Sequence, residues 1–126
     1  MSTPIQTVEN AIAEKLREIE GLTVYEVRPP RGFPLPSATL QLIFTRIRGG
    51  FPDKTQYLDV SFQVDVWARV GSQMREFADK VLRKLYEDRA EMGFIDIVPW
   101  GGRDLPEEDV WRRSFDFRVT TTIAKS

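Results

Sequence analysis

The sequence predicts an α+β fold: a mainly antiparallel sheet, two amphipathic helices packed on one of its faces, and a long projecting hairpin. Two segments repeat apolar residues at steps of three and four, the period of a helix. The others are β-branched, or alternate apolar with polar residues, the period of a strand. In chain order they read α-β-β-β-α-β-β. No linker, repeat or low-complexity stretch interrupts them, so residues 1–126 are expected to form one domain.

Thr3 followed by Pro4 suits a helix N-cap with proline at the first helical position. Ile5, Val8, Ile12, Leu16 and Ile19 then share one face, and Glu14, Lys15, Arg17 and Glu18 take the other. This spacing predicts a helix over 4–20, ended by Gly21. Residues 22–27, with the β-branched Thr23, Val24 and Val27, predict a short strand. Pro29, Pro30, Pro34 and Pro36 follow closely, so 29–36 should run extended, near polyproline geometry.

Residues 37–47, rich in Leu, Ile, Phe and Thr, predict a strand. The stretch 49–54, with Gly49, Gly50 and Pro52-Asp53, supplies a hairpin loop. Leu58, Val60, Phe62, Val64, Val66 and Ala68 then alternate with Asp59, Ser61, Gln63, Asp65 and Trp67. Strict alternation predicts one buried face and one mostly wet face. Ser72 is expected to cap a second helix over 73–89, whose stripe is Met74, Phe77, Ala78, Val81, Leu82, Leu85 and Tyr86. Phe94, Ile95, Ile97 and Val98 mark a short strand that stops at Pro99, with a loop over 100–110 holding the turn glycines Gly101 and Gly102. The last strand begins near Trp111, with Phe115, Phe117, Val119, Thr121 and Ile123 on one face. The strands at 37–47, 57–68 and 111–123 would each span on the order of 35–40 Å. A domain this small cannot cover such strands along their whole length, so the hairpin should project or meet a neighbouring subunit.

The composition bears on chemistry. The chain holds no histidine and no cysteine, which removes the commonest general base, thiolate nucleophiles and the usual zinc ligands. A net charge of −1 provides no broad basic field for non-specific nucleic-acid binding. No Ser-x-x-Lys spacing occurs, and none of the lysines after Pro52-Asp53 completes an acidic nuclease motif. Asp59 and Asp65 would lie roughly 20 Å apart on one strand, too far for a carboxylate pair. Glu107, Glu108 and Asp109 lack the alternating ligands of a calcium loop. Hence no catalytic, metal or cofactor residues are expected. Without a basic leader or a long apolar run, the chain reads as a soluble protein made in a cytoplasm, with no membrane partner.

Binding residues are easier to place. Arg31, Arg46 and Arg48 surround the proline segment and the first hairpin strand, and Arg112 and Arg118 lie on the last strand. Phe33 and Phe51 each neighbour a proline in a loop. Trp67 stands on the polar side of its strand, so either a helix covers it there or it anchors a partner. With Asp59, Asp65, Glu107 and Glu108 these form the candidate interface.

The leading helix, the proline-rich turn, the long hairpin ending in Asp65-Val66-Trp67-Ala68-Arg69, the following helix and the last strand Arg113-Ser114-Phe115-Asp116-Phe117-Arg118 together resemble the tail-terminator and tail-completion proteins of long-tailed phages and archaeal viruses. The resemblance spans nearly the whole chain and rests on patterns rather than on one invariant motif. It implies a homo-oligomeric ring, typically a hexamer, that caps the tail tube, stops its elongation and joins it to head-completion proteins. It also implies a place in the tail or neck of a virion assembled in the host cytoplasm, and DNA as a passenger in the channel. The same features fit another head–tail connector or tube-forming virion protein, or a small cellular domain that binds protein or nucleic acid. If Trp67 anchors a partner, Trp67→Ala should weaken assembly in light scattering more than it weakens folding by circular dichroism. Equal losses would make it a core residue.

Overall fold

The computed structural model describes residues 4–26, 34–49, 56–107 and 110–123. Its elements are α1 (Pro4–Arg17), β1 (Thr23–Tyr25), β2 (Ser37–Gly49), β3 (Gln56–Ala68), α2 (Gly71–Glu87), β4 (Phe94–Glu107) and β5 (Val110–Ile123). This is the α+β order that the periodicities predict. The strands form one open sheet in the order β1-β2-β3-β5-β4. β1 runs parallel to β2, and every other neighbouring pair is antiparallel.

β3 lies at the centre because its apolar face is complete. Leu58, Val60, Phe62, Val64, Val66 and Ala68 are all buried. Phe117, Phe115 and Val119 of β5 stand opposite Phe62, Val64 and Val60. The Phe62 and Phe117 rings stack with centroids 5.1 Å apart. Ala38 and Leu40 of β2 and Phe94 and Ile97 of β4 extend this surface. The helices lie against it through Val8, Ile12 and Leu16 of α1 and Phe77, Val81 and Leu85 of α2. Ile5, at the open end of the α1 stripe, stays exposed.

α1 ends at Arg17, three residues before its expected end. The chain then tightens into short-range turns, with Glu18 N–H donating to the Lys15 carbonyl and Ile19 N–H to that of Leu16. Ile19 thereby keeps its place on the buried face. Gly21 follows at φ 85°, a conformation only glycine adopts cheaply. Lys15 and Lys84 then bind the two helices together. Lys84 Nζ contacts Glu18 at 3.0 Å and Asp88 at 2.9 Å, and Lys15 reaches Glu18, Asp88 and Glu91.

Four expectations are corrected. α2 starts at Gly71, and its N-cap position is Val70, which has no side-chain acceptor, so Ser72 is inside the helix and caps nothing. β1 covers only Thr23–Tyr25. At 34–36 the proline-rich segment bends instead of running extended, with the Leu35–Pro36 peptide cis and the Pro36 carbonyl accepting from Thr23 N–H. β4 does not stop at Pro99: it continues through Gly101 and Gly102 to Glu107, where a loop was expected. β4 is an edge strand, so proline's missing N–H need not pair on its open side. Its register shifts between Phe94 and Asp96 and between Pro99 and Gly101. The Thr3 cap, residues 27–33 and the hairpin turn at 50–55 lie outside the described residues.

β2 carries a similar shift between Leu42 and Phe44, where Ile43 is the extra residue. β2 is largely buried at its start and exposed from Ile43 onward, while β3 remains buried between its two neighbours. The β2–β3 hairpin therefore projects beyond the helices. Phe62→Ala should cost about 3–5 kcal/mol in urea unfolding, because it removes a fully buried ring from the central stack. Ile43→Ala should change stability by no more than about 0.5 kcal/mol.

Candidate functional site

The outer face of the sheet, opposite the helices, carries most of the polar side chains singled out in the sequence. The register sets them in cross-strand rows. Arg46, Asp59, Thr120 and Asp96 form one row; Phe44, Ser61, Arg118 and Val98 form the next. Nearer the other end, Ser37, Trp67 and Arg112 form a third.

This face is not the wet surface expected from alternation. Asp59 and Asp65 are 6% and 8% exposed. A carboxylate withdrawn from water needs donors, and neighbouring strands supply them. Arg48 Nε donates to Asp59 at 2.6 Å, Arg46 Nη2 at 3.2 Å and Thr120 Oγ1 at 2.8 Å. The Arg48 guanidinium also lies 5.2 Å from the Tyr57 ring centre. The hydrogen bond from Arg48 dominates and holds the Asp59 pKa down at about 2, against the opposing effect of burial, with Thr120 and Arg46 assisting. A carboxylate this acidic has little power as a general base near neutrality. Arg118 stands beside this group, and Phe44, Arg46, Asp59, Ser61 and Arg118 enclose a dent of about 80 Å³.

The second cluster joins Asp65, Trp67 and Arg112. Gln63 Nε2 donates to both Asp65 oxygens, at 3.0 and 3.2 Å, and Arg112 Nη1 approaches to 3.8 Å. The Arg112 guanidinium covers the Trp67 ring at 4.9 Å, and Trp67 Nε1 donates to Thr39 Oγ1 at 3.3 Å. Trp67 is half-buried by these side chains, with both helices on the opposite face of the sheet. The helix cover considered for it is thus absent.

Of the twelve candidate residues, the structure brings Arg46, Arg48, Asp59 and Arg118 together at one end and Asp65, Trp67 and Arg112 at the other. Arg31, Phe33, Phe51 and Glu108 lie outside the described residues, as does the side chain of Glu107, whose backbone ends β4. Sequence reasoning missed Thr120, Gln63 and Thr39 as partners of the charged and aromatic groups. It also missed the exposed Ile43, Phe44 and Ile47 of β2 and Ile95 and Val98 of β4. A break of the alternation along β2 was the available signal: apolar residues fall at 38, 40 and 42, then at 43, 44 and 47. A second cleft of about 250 Å³, between α2 and β5, is lined by Arg75, Ala78, Asp79, Leu82, Arg113 and Phe115. Among the described residues, no group of three or more carboxylates is placed to hold a metal ion.

No family model and no curated protein matches the chain. Among solved structures, a chain of the virion of the native gene transfer agent (GTA) particle is similar, with a TM-score of 0.67 at 16% identity, over 97% of this chain and 99% of that one. Likeness at this identity establishes a shared fold.

Asp59 is more acidic in the folded chain than its ordinary value of 3.8. The stability it contributes is therefore present above about pH 4 and is lost as the pH falls through about 2. Asp59→Asn should lower stability at pH 7 and flatten the acid limb between about pH 4 and 2, measured by urea unfolding across that range. An unchanged acid limb would show that the Arg48 bond is not formed in solution.

Proposed function

We propose that this chain is a structural subunit of a phage-like virion and acts as a tail terminator. It assembles as a ring, a hexamer, that caps the tail tube, stops its elongation and joins the tube to head-completion proteins. The observation that carries this reading is the end-to-end likeness to a chain of a GTA virion particle, which leaves almost none of either chain unmatched. The sequence resemblance to tail-completion proteins points the same way.

The surface supports work by contact. Asp59 on the outer face is tied to Arg46 and Arg48, and it is too acidic to serve as a base at neutral pH. A closed ring needs two different patches on each copy. The open sheet offers two different edges, β2 with its short β1 cover and β4. The ring's other partners are the tube protein and a connector protein, and DNA passes through the channel. The candidate interface residues Arg46, Arg48, Asp59, Asp65, Trp67, Arg112 and Arg118 would then line or brace that assembly. Among the described residues no helix is long and apolar enough to cross a membrane.

Solution mass and electron microscopy of the purified chain, alone and with its tube protein, test the reading. A closed ring at a fixed small multiple of 14.6 kDa, or one that forms only on tube ends and shortens them, is the expected result. Unlimited polymerisation would assign a tube-forming role instead. A stable monomer that ignores tubes and binds DNA with a steep salt dependence would overturn the proposal.

A further inference from the structure

We infer that neighbouring copies join edge to edge, with the outer edge of β4 in one copy pairing antiparallel to the distal edge of β2 in the next. This rests on the ring reading and adds which strands meet and in what register.

Both edges are open. β1 pairs only with Ser37, Ala38 and Thr39, and among the described residues nothing else pairs with that side of β2 or with the outer side of β4. Open edges are templates for another strand, and most proteins blunt them. β4 is blunted from Pro99 onward, since Pro99 and Pro106 offer no N–H. Its stretch 94–98 has no proline, and neither has β2. Apolar exposure is concentrated on the same two strands. Of the eight exposed large hydrophobic residues among the described ones, five are there: Ile43, Phe44 and Ile47 on β2, Ile95 and Val98 on β4.

Direction and register then select the partner. Three successive antiparallel pairings leave β4 running opposite to β2. Copies set side by side with their strands aligned therefore meet β4 to β2 in the antiparallel sense. The rows of the outer face carry across the joint. The row of Arg46 ends at Asp96, and the row of Phe44 ends at Val98. Continued into the next copy, Asp96 comes beside Arg46 and Val98 beside Phe44. Opposite charges meet, and apolar side chains meet. Both ions have capacity to spare. Arg46 is 59% exposed and uses Nη2 for Asp59, and one Asp96 oxygen accepts from Ile97 N–H, leaving the other. A two-fold β2–β2 contact would instead close as a dimer and leave the β4 edge open.

The natural chain has no cysteine, so introduced thiols report this contact cleanly. Phe44→Cys and Val98→Cys both fall at exposed positions, and circular dichroism of the reduced proteins checks that they fold. After oxidation, the double variant should give a ladder of covalent species at multiples of 14.6 kDa. An equal mixture of the two single variants should give dimers only, and each single variant alone none. Asp96→Lys should reduce the assembled fraction at least tenfold at low salt. Dimers from Phe44→Cys alone would overturn the proposal in favour of a two-fold contact. Rings that form without the mixed cross-link would overturn it and leave the ring standing. A cross-linked ladder that never closes would support the edge pairing and remove the ring.

Discussion

Two helices can cover one face of this sheet and no more. β2 and β3 have thirteen residues and β4 and β5 have fourteen. The apolar side of β3, with Phe62 stacked on Phe117, takes the helices and becomes the core. Everything on the other side must settle its polar chemistry without help from a second layer. That is why Asp59 and Asp65 are wrapped by arginine, glutamine and threonine from neighbouring strands. Each carboxylate loses water and regains donors, and Arg48 and Arg112 also lie over the Tyr57 and Trp67 rings. Asp59 and Asp65 are thus bonded groups within the outer face rather than free charges.

The helix side has its own cross-bracing at one end. Lys15 and Lys84 share Glu18 and Asp88, so the ends of both helices meet in one charge cluster. The carboxyls of Glu18 and Asp88 are held below their ordinary values chiefly by hydrogen bonds from Lys84. These groups are accessible to solvent, and salt should weaken them readily. The aromatic stack is insensitive to salt, so the core and the brace answer to different conditions.

Periodicity read the two helices and the central strand well, because those elements bury one continuous stripe or one alternating face. Val8, Ile12 and Leu16, or Leu58 to Ala68 in steps of two, have a single structural solution. Reading failed where a local signal had a non-local answer. Pro99 ends a strand that is paired on both sides, but β4 lies at an edge, a position set by the order of the whole sheet. Ser72 is a good cap by composition, yet the chain turns into α2 early enough to leave Val70 at that position. Of the site, the charged residues were visible as types. Their grouping was not, because Arg48, Asp59 and Thr120 come together only through the register of three strands.

The extra residue Ile43 has a further meaning. Side chains along a strand alternate in facing, so a single extra position reverses which residue numbers face which side beyond it. Up to Leu42, even-numbered residues of β2 point toward the helices; from Phe44 onward, even-numbered residues point away from them. Arg46 and Arg48 face Asp59 because the bulge absorbs Ile43 and keeps the pairs beyond it in register. Removing Ile43 would leave Phe44 directly after Leu42 in an unbroken ladder, with Phe44 still opposite Ser61 and Arg46 still opposite Asp59, so the extra residue bends and twists the projecting strand without deciding which side the arginines face.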